Sequence, residues 1–459
     1  MTLFLTLLIF LCQFLIGFGI LVRCKMVQTS PKILTAGLSL IIGMGVSCFG
    51  VFLEELFRIP LSLTSILIVN FVLVVAALFP FSSTIDAFKS FFSSPLKGVK
   101  PYGFVTLSIV LFFMFISGWL AYYSPVLSVD AIAGPDLVAK YAVEQGTMAS
   151  SVFYDLEGNL GNQPFYAPFI TLMQIQFRAA GNPFGQIWIP IMALAFIGVL
   201  YAKMREHTHG AIAGFLTILF IMIPEMFFYT TSLLTDYSNA VFFGCAVMMV
   251  IEYVNSKEMR FLVLASLLMG FACFTRIDTI VLAGLGILAT GLYMISKKNE
   301  PFPFPKALLS MSSMFMVSFV FFFLWNILYI SAYLPVKPTA EDQLYITLFD
   351  FGKVMKNIGE INEKLVFDTT YFGYSMAIFF IWVLINGVVR RSFQPLLLLF
   401  WIISIYLGFV IILGLFPSAV IDWTIKRGFF KFFALFYLFI ASSQLSKWLD
   451  NKITSWEAR

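Results

Sequence analysis

Four stretches of this chain set charged side chains among apolar neighbours, and each holds residue types that could do chemistry. In SVDAIAGPDLVAKYAVEQG, Asp130 and Asp136 precede Lys140. Asp130 follows an apolar run by a few residues, at the mouth of whatever that run builds. An oriented, partly desolvated carboxylate there can take the proton of a hydroxyl; it is equally placed to cap the helix that follows. In TTSLLTDYSNAVFF, Asp236 lies in a short turn between two apolar runs, and again either a site carboxylate or a cap beside Ser238 and Asn239 fits. Pro224-Glu225 just before it puts a carboxylate in the outer third of an apolar segment. Burying a charge at mid-membrane costs roughly 2.5–3.5 kcal/mol on insertion scales, so Glu225 is expected to face a polar cavity or to be protonated.

Two further stretches supply cations. FACFTRIDTIVLAG places Arg276 and Asp278 between apolar runs. The two could pair with each other, but residues two apart do not face each other on a helix, so each is expected to find a partner elsewhere. IDWTIKRGFFKFF carries Asp422, Lys426, Arg427 and Lys431. A local anion such as a lipid phosphate would account for the three cations, as would snorkelling to head groups.

The elements that must position these residues are read from hydrophobicity. The chain has 459 residues, 60% of them hydrophobic and 12% charged, where a soluble domain carries roughly 25% charged residues. So much apolar surface requires a bilayer as solvent. A span needs about 20 apolar residues, and about thirteen such segments are expected, near 2–22, 33–53, 61–80, 102–122, 183–201, 211–229, 237–254, 261–275, 279–296, 307–331, 371–389, 394–415 and 427–443. The opening MTLFLTLLIFLCQFLIGFGILV lacks a positive n-region and runs into Arg23 and Lys25, so it is expected to be a retained span rather than a cleaved leader. Threading from an external N-terminus puts the larger share of the 29 Lys and Arg inside and most of the 24 Asp and Glu outside. That is the positive-inside pattern, and it leaves the C-terminus cytoplasmic.

Two external segments are then long: 123–182, and 332–370, where Leu344, Leu348, Phe351, Val354, Ile358, Ile361 and Leu365 recur at helical spacing behind Thr339 as N-cap. This second stretch reads as an amphipathic helix along the membrane interface. The whole reads as one all-α transmembrane domain, 1–459. The net charge of +5 is spread along loops, with no basic cluster for nucleic acid. Five cysteines without CxxC spacing and a lone His207-x-His209 give no metal framework.

At these residues the chain resembles the GT-C superfamily of polytopic glycosyltransferases. VDAIAGPDLVAKYAVEQG is similar to the family's first-loop pattern through Asp130, Ala139-Lys140 and Gly146. QPFYAPFITLMQIQFRAAG, with Tyr166, resembles its aromatic-Pro segment. TTSLLTDYSNAVFF resembles the second-loop Asp segment through Asp236. LLMGFACFTRIDTIVLAG is similar to a Gly-rich span ending in Thr-Lys and an acidic residue, with Arg276 and Asp278 in those places. WTIKRGFFKFFALFY resembles the Arg-bearing last spans through Arg427. Together these cover roughly 101–443. Ala131 follows Asp130 where many members carry a second acidic residue, and three spans precede the loop where better-known members have one.

The resemblance implies an inverting transfer of sugar from a polyprenyl-phosphate donor to a glycan, lipid or protein acceptor at the extracytoplasmic face. It makes Asp130 the base, has Asp236 line the acceptor site, and has Arg276, Arg427 and Lys426 hold the donor phosphate. Glu225, Asp278, Asp136, Lys140 and Tyr166 complete the candidates, and a divalent metal through Asp130 and Asp236 stays open. The rival reading is a transporter or flippase of a lipid-linked glycan, which should show paired halves with interrupted helices; no internal repeat is visible.

Overall fold

The computed structural model describes residues 1–93, 100–155, 163–297, 302–335, 351–415 and 419–458, and every regular element among them is a helix. Eight helices are long and apolar enough to cross a membrane: Thr2–Arg23, Lys32–Leu56, Pro101–Tyr123, Trp188–Arg205, Thr235–Ser256, Thr279–Ser296, Phe304–Ala332 and Leu396–Leu415. Two bent pairs raise the number to ten if each is one span. Leu63–Leu78 turns by 89° into Phe81–Ser93, and Ile421–Ser442 turns by 54° into Gln444–Glu457. Gly210–Ile221, Met259–Cys273 and Ser375–Arg390 are apolar but shorter.

All thirteen expected segments are therefore helical, but the expected count of thirteen full spans is not met by length. The 12-residue Gly210–Ile221 helix rises only about 18 Å, against a hydrocarbon core of about 30 Å. These helices fit an integral, multi-pass membrane protein.

Small residues set the packing. A Cβ on Gly17 would strike the Ser39 carbonyl, and one on Gly43 the Gln13 carbonyl. The helices Thr2–Arg23 and Lys32–Leu56 thus cross at backbone contact, as close packing between apolar helices in lipid requires. Some polar groups inside are gathered together: Ser47 Oγ lies 2.7 Å from Asn70 Oδ1 and 2.8 Å from Gln176 Oε1.

The segment after Tyr123 folds onto this bundle as short helices, Val129–Ile132, Pro135–Gln145, Val152–Asp155 and Phe169–Ala179. Gly146 ends Pro135–Gln145 in the left-handed region, φ +77°, where a side chain would be strained. Its carbonyl accepts from Leu61 N–H at 2.7 Å. Buried Glu55 then clamps the next residues, accepting from Thr147 Oγ1 at 2.7 Å, Met148 N–H at 3.1 Å and Tyr329 OH at 2.7 Å. The stretch that resembles the aromatic-Pro segment is not long enough to be a span. It is the 11-residue Phe169–Ala179 helix, buried from Phe169 to Phe177.

In the second long segment the described helix is Phe351–Ile361, continued by a π-helical turn, Asn362–Val366. Val354, Ile361 and Leu365 are buried, and the helix packs on Leu396–Leu415, so much of its apolar stripe meets protein rather than lipid. Phe351 and Met355 stay exposed. Thr339, Leu344 and Leu348 lie outside the described residues.

Candidate active site

Helix ends bring the charges together. Asp130 follows Pro101–Tyr123, and Glu225 follows Gly210–Ile221 after a break at Met222-Ile223. Asp236 opens Thr235–Ser256, Arg276 and Asp278 close Met259–Cys273, and Lys426 and Arg427 lead into Phe430–Ser442. Alternating helices that enter and leave at these points place all of them at one end of the bundle.

Local structure explains each position. Pro224 takes the first position of Pro224–Tyr229, where its missing N–H costs nothing. Glu225 then sits in the first turn, where the helix dipole favours a carboxylate. Asp236 is also inside a first turn; Leu234 is the capping residue, so the capping reading of Asp236 does not hold. Residues 274–278 are not helical. Both alternatives for this pair are met in part: Arg276 Nε reaches Asp278 Oδ1 at 3.1 Å, since no helix separates them, and Arg276 also finds a distant partner in Asp236. Lys426 and Arg427 follow a π-helical turn, Ile421–Ile425, a distortion found frequently at functional sites.

The contacts form one network and one side pair. Arg427 Nη1 is 2.6 Å from Asp130 Oδ2 and 3.9 Å from Asp236 Oδ2. Arg276 donates through Nη1 to Asp236 and through Nε to Asp278, whose Oδ2 lies 3.0 Å from Nη2 as an ion-pair contact. Lys426 binds Glu225 at 2.8 Å and lies over the Tyr371 ring at 4.2 Å. Glu225 is thus ion-paired. Of the three cations Lys426, Arg427 and Lys431, the first two each have a carboxylate in contact.

Burial is graded. The Asp236 side chain is 1% exposed, whereas Asp130 keeps 21% and Glu225 20%. Buried Asp236 Oδ2 and Asn239 Oδ1 lack hydrogen-bond partners among the described residues. Burial alone would raise the Asp278 carboxyl. The charges of Arg276 and Lys431, with hydrogen bonds from Arg276 and Thr279, outweigh it and hold the group below the ordinary carboxylate range. Tyr166 is pushed up by burial and by the Asp130 charge, partly offset by Arg427 and Arg276. At neutral pH it is a phenol that can donate a hydrogen bond beside Asp130.

Asp136 and Lys140 fall outside this network. Asp136 is saturated by Arg178 Nη2 at 2.7 and 2.8 Å and by Gln174 Nε2 at 2.8 Å, and it ties Pro135–Gln145 to Phe169–Ala179. Lys140 is exposed. A metal bridging Asp130 and Asp236 does not fit either, because the Arg427 guanidinium stands between the two carboxylates. Among the described residues no three His, Cys, Asp or Glu side chains gather into a metal-binding group. His209 is committed elsewhere: its Nδ1 accepts from Ala211 N–H at 3.2 Å, and its Nε2 lies 3.4 Å from Glu457.

Sequence reasoning missed Tyr229 and Tyr371, which border the cations. Nothing separates these from the 18 tyrosines in the sequence. No known protein family matches the chain, and no curated protein or solved structure is detectably similar to it.

Proposed function

We propose that this protein is a membrane glycosyltransferase that moves a sugar from a polyprenyl-phosphate donor to an acceptor hydroxyl at the extracytoplasmic end of the bundle. One observation carries the reading. Asp130, Asp236, Arg276 and Arg427, drawn from four distant segments, form a single network at one end of a set of apolar helices. That network offers what the reaction needs: a partly exposed carboxylate to take the acceptor proton, and cations to stabilise the phosphate that leaves.

The pairing also suggests how the parts work. Arg427 donates to Asp130 Oδ2. A donor phosphate competes for the same guanidinium, and Arg427 released toward phosphate leaves Asp130 free for the acceptor. Asp236, too buried to meet bulk solvent, holds Arg276 and faces Arg427, with the acceptor bound against this pair. Lys426 is drawn to phosphate only if Glu225 lets go, so its part is secondary.

A transporter of a lipid-linked glycan is the second reading, and the break between Ile221 and Pro224 with a charge at its edge favours it, because transporter sites use discontinuous helices. Mass spectrometry of lipid-linked glycans from cells with and without the protein separates the two. Unmodified acceptor with accumulated polyprenyl-phosphate sugar supports the transferase. A complete glycan stranded on the cytoplasmic side supports the transporter and overturns the transferase.

A further inference from the structure

Arg276 and Asp278 sit on a turn between two helices, and one uncharged side chain holds both ends of that turn. Asn239 lies in the second turn of Thr235–Ser256 and is 0% exposed. Its Nδ2 donates to the Ala272 carbonyl at 2.7 Å and to Thr279 Oγ1 at 2.9 Å. Ala272 is in the last turn of Met259–Cys273, and Thr279 is the first residue of Thr279–Ser296. Between them run the non-helical residues 274–278. Chemistry fixes which end of the amide points there, because a carbonyl only accepts.

Each of these two contacts leads to a charged residue. The Ala272 carbonyl also accepts from the backbone N–H groups of Thr275 and Arg276, both at 3.1 Å. Asn239 therefore shares its acceptor with the backbone of Arg276. Thr279 Oγ1 in turn lies 3.5 Å from Asp278 Oδ1, and that carboxylate accepts from Arg276 Nε. On its own helix Asn239 follows Asp236 by three residues, a spacing that puts both on one face. Asp236 accepts from Arg276 Nη1. The contacts thus close a ring through Asp236, Asn239, the Ala272 carbonyl and Arg276. The amide leaves its own Oδ1 without a partner among the described residues. An unpaired buried acceptor is costly, and a leucine of similar size would fill the space without one. Packing alone therefore does not call for an amide here.

We propose that Asn239 is a positioning residue for binding of the donor phosphate: it ties the Ala272 carbonyl to the Thr279 hydroxyl, and so fixes the turn on which Arg276 is shared between Asp236 and Asp278. The phosphate readout rests on the transferase reading. The hold of Asn239 on the turn does not, and it is testable by itself.

The test titrates undecaprenyl phosphate, without a sugar, into the full-length protein in phosphatidylcholine nanodiscs. Asn239→Leu is expected to weaken binding about tenfold, the scale of coupling within one hydrogen-bond network. Arg276→Ala is expected to weaken it at least as much, and adding Asn239→Leu to Arg276→Ala should change nothing further. A side chain that only packs its helix would lower the yield of folded protein and leave the Kd of the folded fraction alone. A wild-type Kd in folded Asn239→Leu, or a further loss in the Arg276→Ala background, would overturn the proposal. Thr279→Val removes one of the two bonds and serves where Asn239→Leu does not fold. It should weaken binding, and Thr279→Ser should restore it; a wild-type Kd in Thr279→Val counts against the proposal in the same way.

Hydrogen exchange reads the hold on the turn without any ligand. The Thr275 and Arg276 amides share the Ala272 carbonyl with Asn239. Both are expected to exchange about tenfold faster in Asn239→Leu, as a local opening, while amides in the middle of Thr235–Ser256 keep their wild-type rates. Unchanged exchange at Thr275 and Arg276 would overturn the proposal. Should the wild-type protein bind no undecaprenyl phosphate, the transferase reading loses its donor, while the exchange measurement still decides whether Asn239 holds the turn.

Discussion

Asp130 makes the sharpest prediction at the scale of single residues. Asp130→Asn keeps the size of the side chain and one acceptor toward Arg427, but it cannot take a proton. Turnover is expected to fall about 100-fold, the scale of a lost general base, with the melting temperature little changed because the side chain is partly solvated. Asp155→Asn, exposed in the same segment, should leave turnover intact; equal silence of Asp130→Asn in a folded protein would remove Asp130 from the chemistry.

Asp278 predicts a pH effect. Its carboxyl is held below its value in an unfolded chain, about 3.9. Its contribution to stability is therefore full above that value and is lost as pH falls through the folded one. The gap in melting temperature between wild type and Asp278→Asn should stay constant from about pH 8 to pH 5, and close only in stronger acid. A gap that closes near neutrality would contradict the ion pairing.

These residues were legible because a charge in an apolar chain is expensive and so stands out. Their pairings were not. The Asp236–Arg276 contact spans 40 residues and the Asp130–Arg427 contact 297, and no local pattern encodes such distances. Arg276–Asp278 was an open alternative that helical spacing disfavoured, and that spacing rule does not hold in a turn. Asp136 looked like Asp130 in sequence and differs from it only because Arg178 is within reach.

At the scale of elements, hydrophobicity located the helices but not their breaks or lengths. The pause at Met222-Ile223 and the 89° turn after Leu78 both sit beside prolines, Pro224 and Pro80, yet 19 prolines occur in the chain and most break nothing that matters to the site. The close crossing of the first two helices was likewise hidden, because Gly17 and Gly43 read only as small residues in apolar runs. Packing now gives them a consequence. Gly43→Val would drive methyl groups into the Gln13 carbonyl and force these helices apart. A loss of about 1–3 kcal/mol is expected, the usual cost of overpacking, read as a lower melting temperature in detergent. Gly118, where a Cβ would meet nothing within 4 Å, is the control and should tolerate Ala. Equal effects at both glycines would mean that the crossing is not set by backbone contact.

At the scale of the whole molecule, the open matter is which end of the bundle faces which side. The distribution of Lys and Arg predicts an external site end. In a Cys24→Ser background, a cysteine at exposed Glu144 should react from outside with an impermeant thiol reagent. One at Ser256, at the far end of the Thr235–Ser256 helix, should react only after permeabilisation. The opposite pattern would place the site in the cytoplasm, where nucleotide sugars rather than lipid-borne ones are at hand, and the donor assignment would fall with it. The charge bias behind the expected topology stands out in the sequence because it is summed over many loops. The number of complete spans does not, because a short helix that ends at a polar site and one that crosses the whole bilayer are equally apolar.

The pairing of Asp130 with Arg427 also bears on how such a chain is made. Synthesis delivers the carboxylate early and its cation 297 residues later. Throughout that interval the nascent protein carries an uncompensated charge at the membrane edge. A chain cut before the Lys426-Arg427 pair leaves two carboxylates, Glu225 and Asp130, without the cations that hold them. Membrane quality control could recognise such defects without inspecting the rest of the fold.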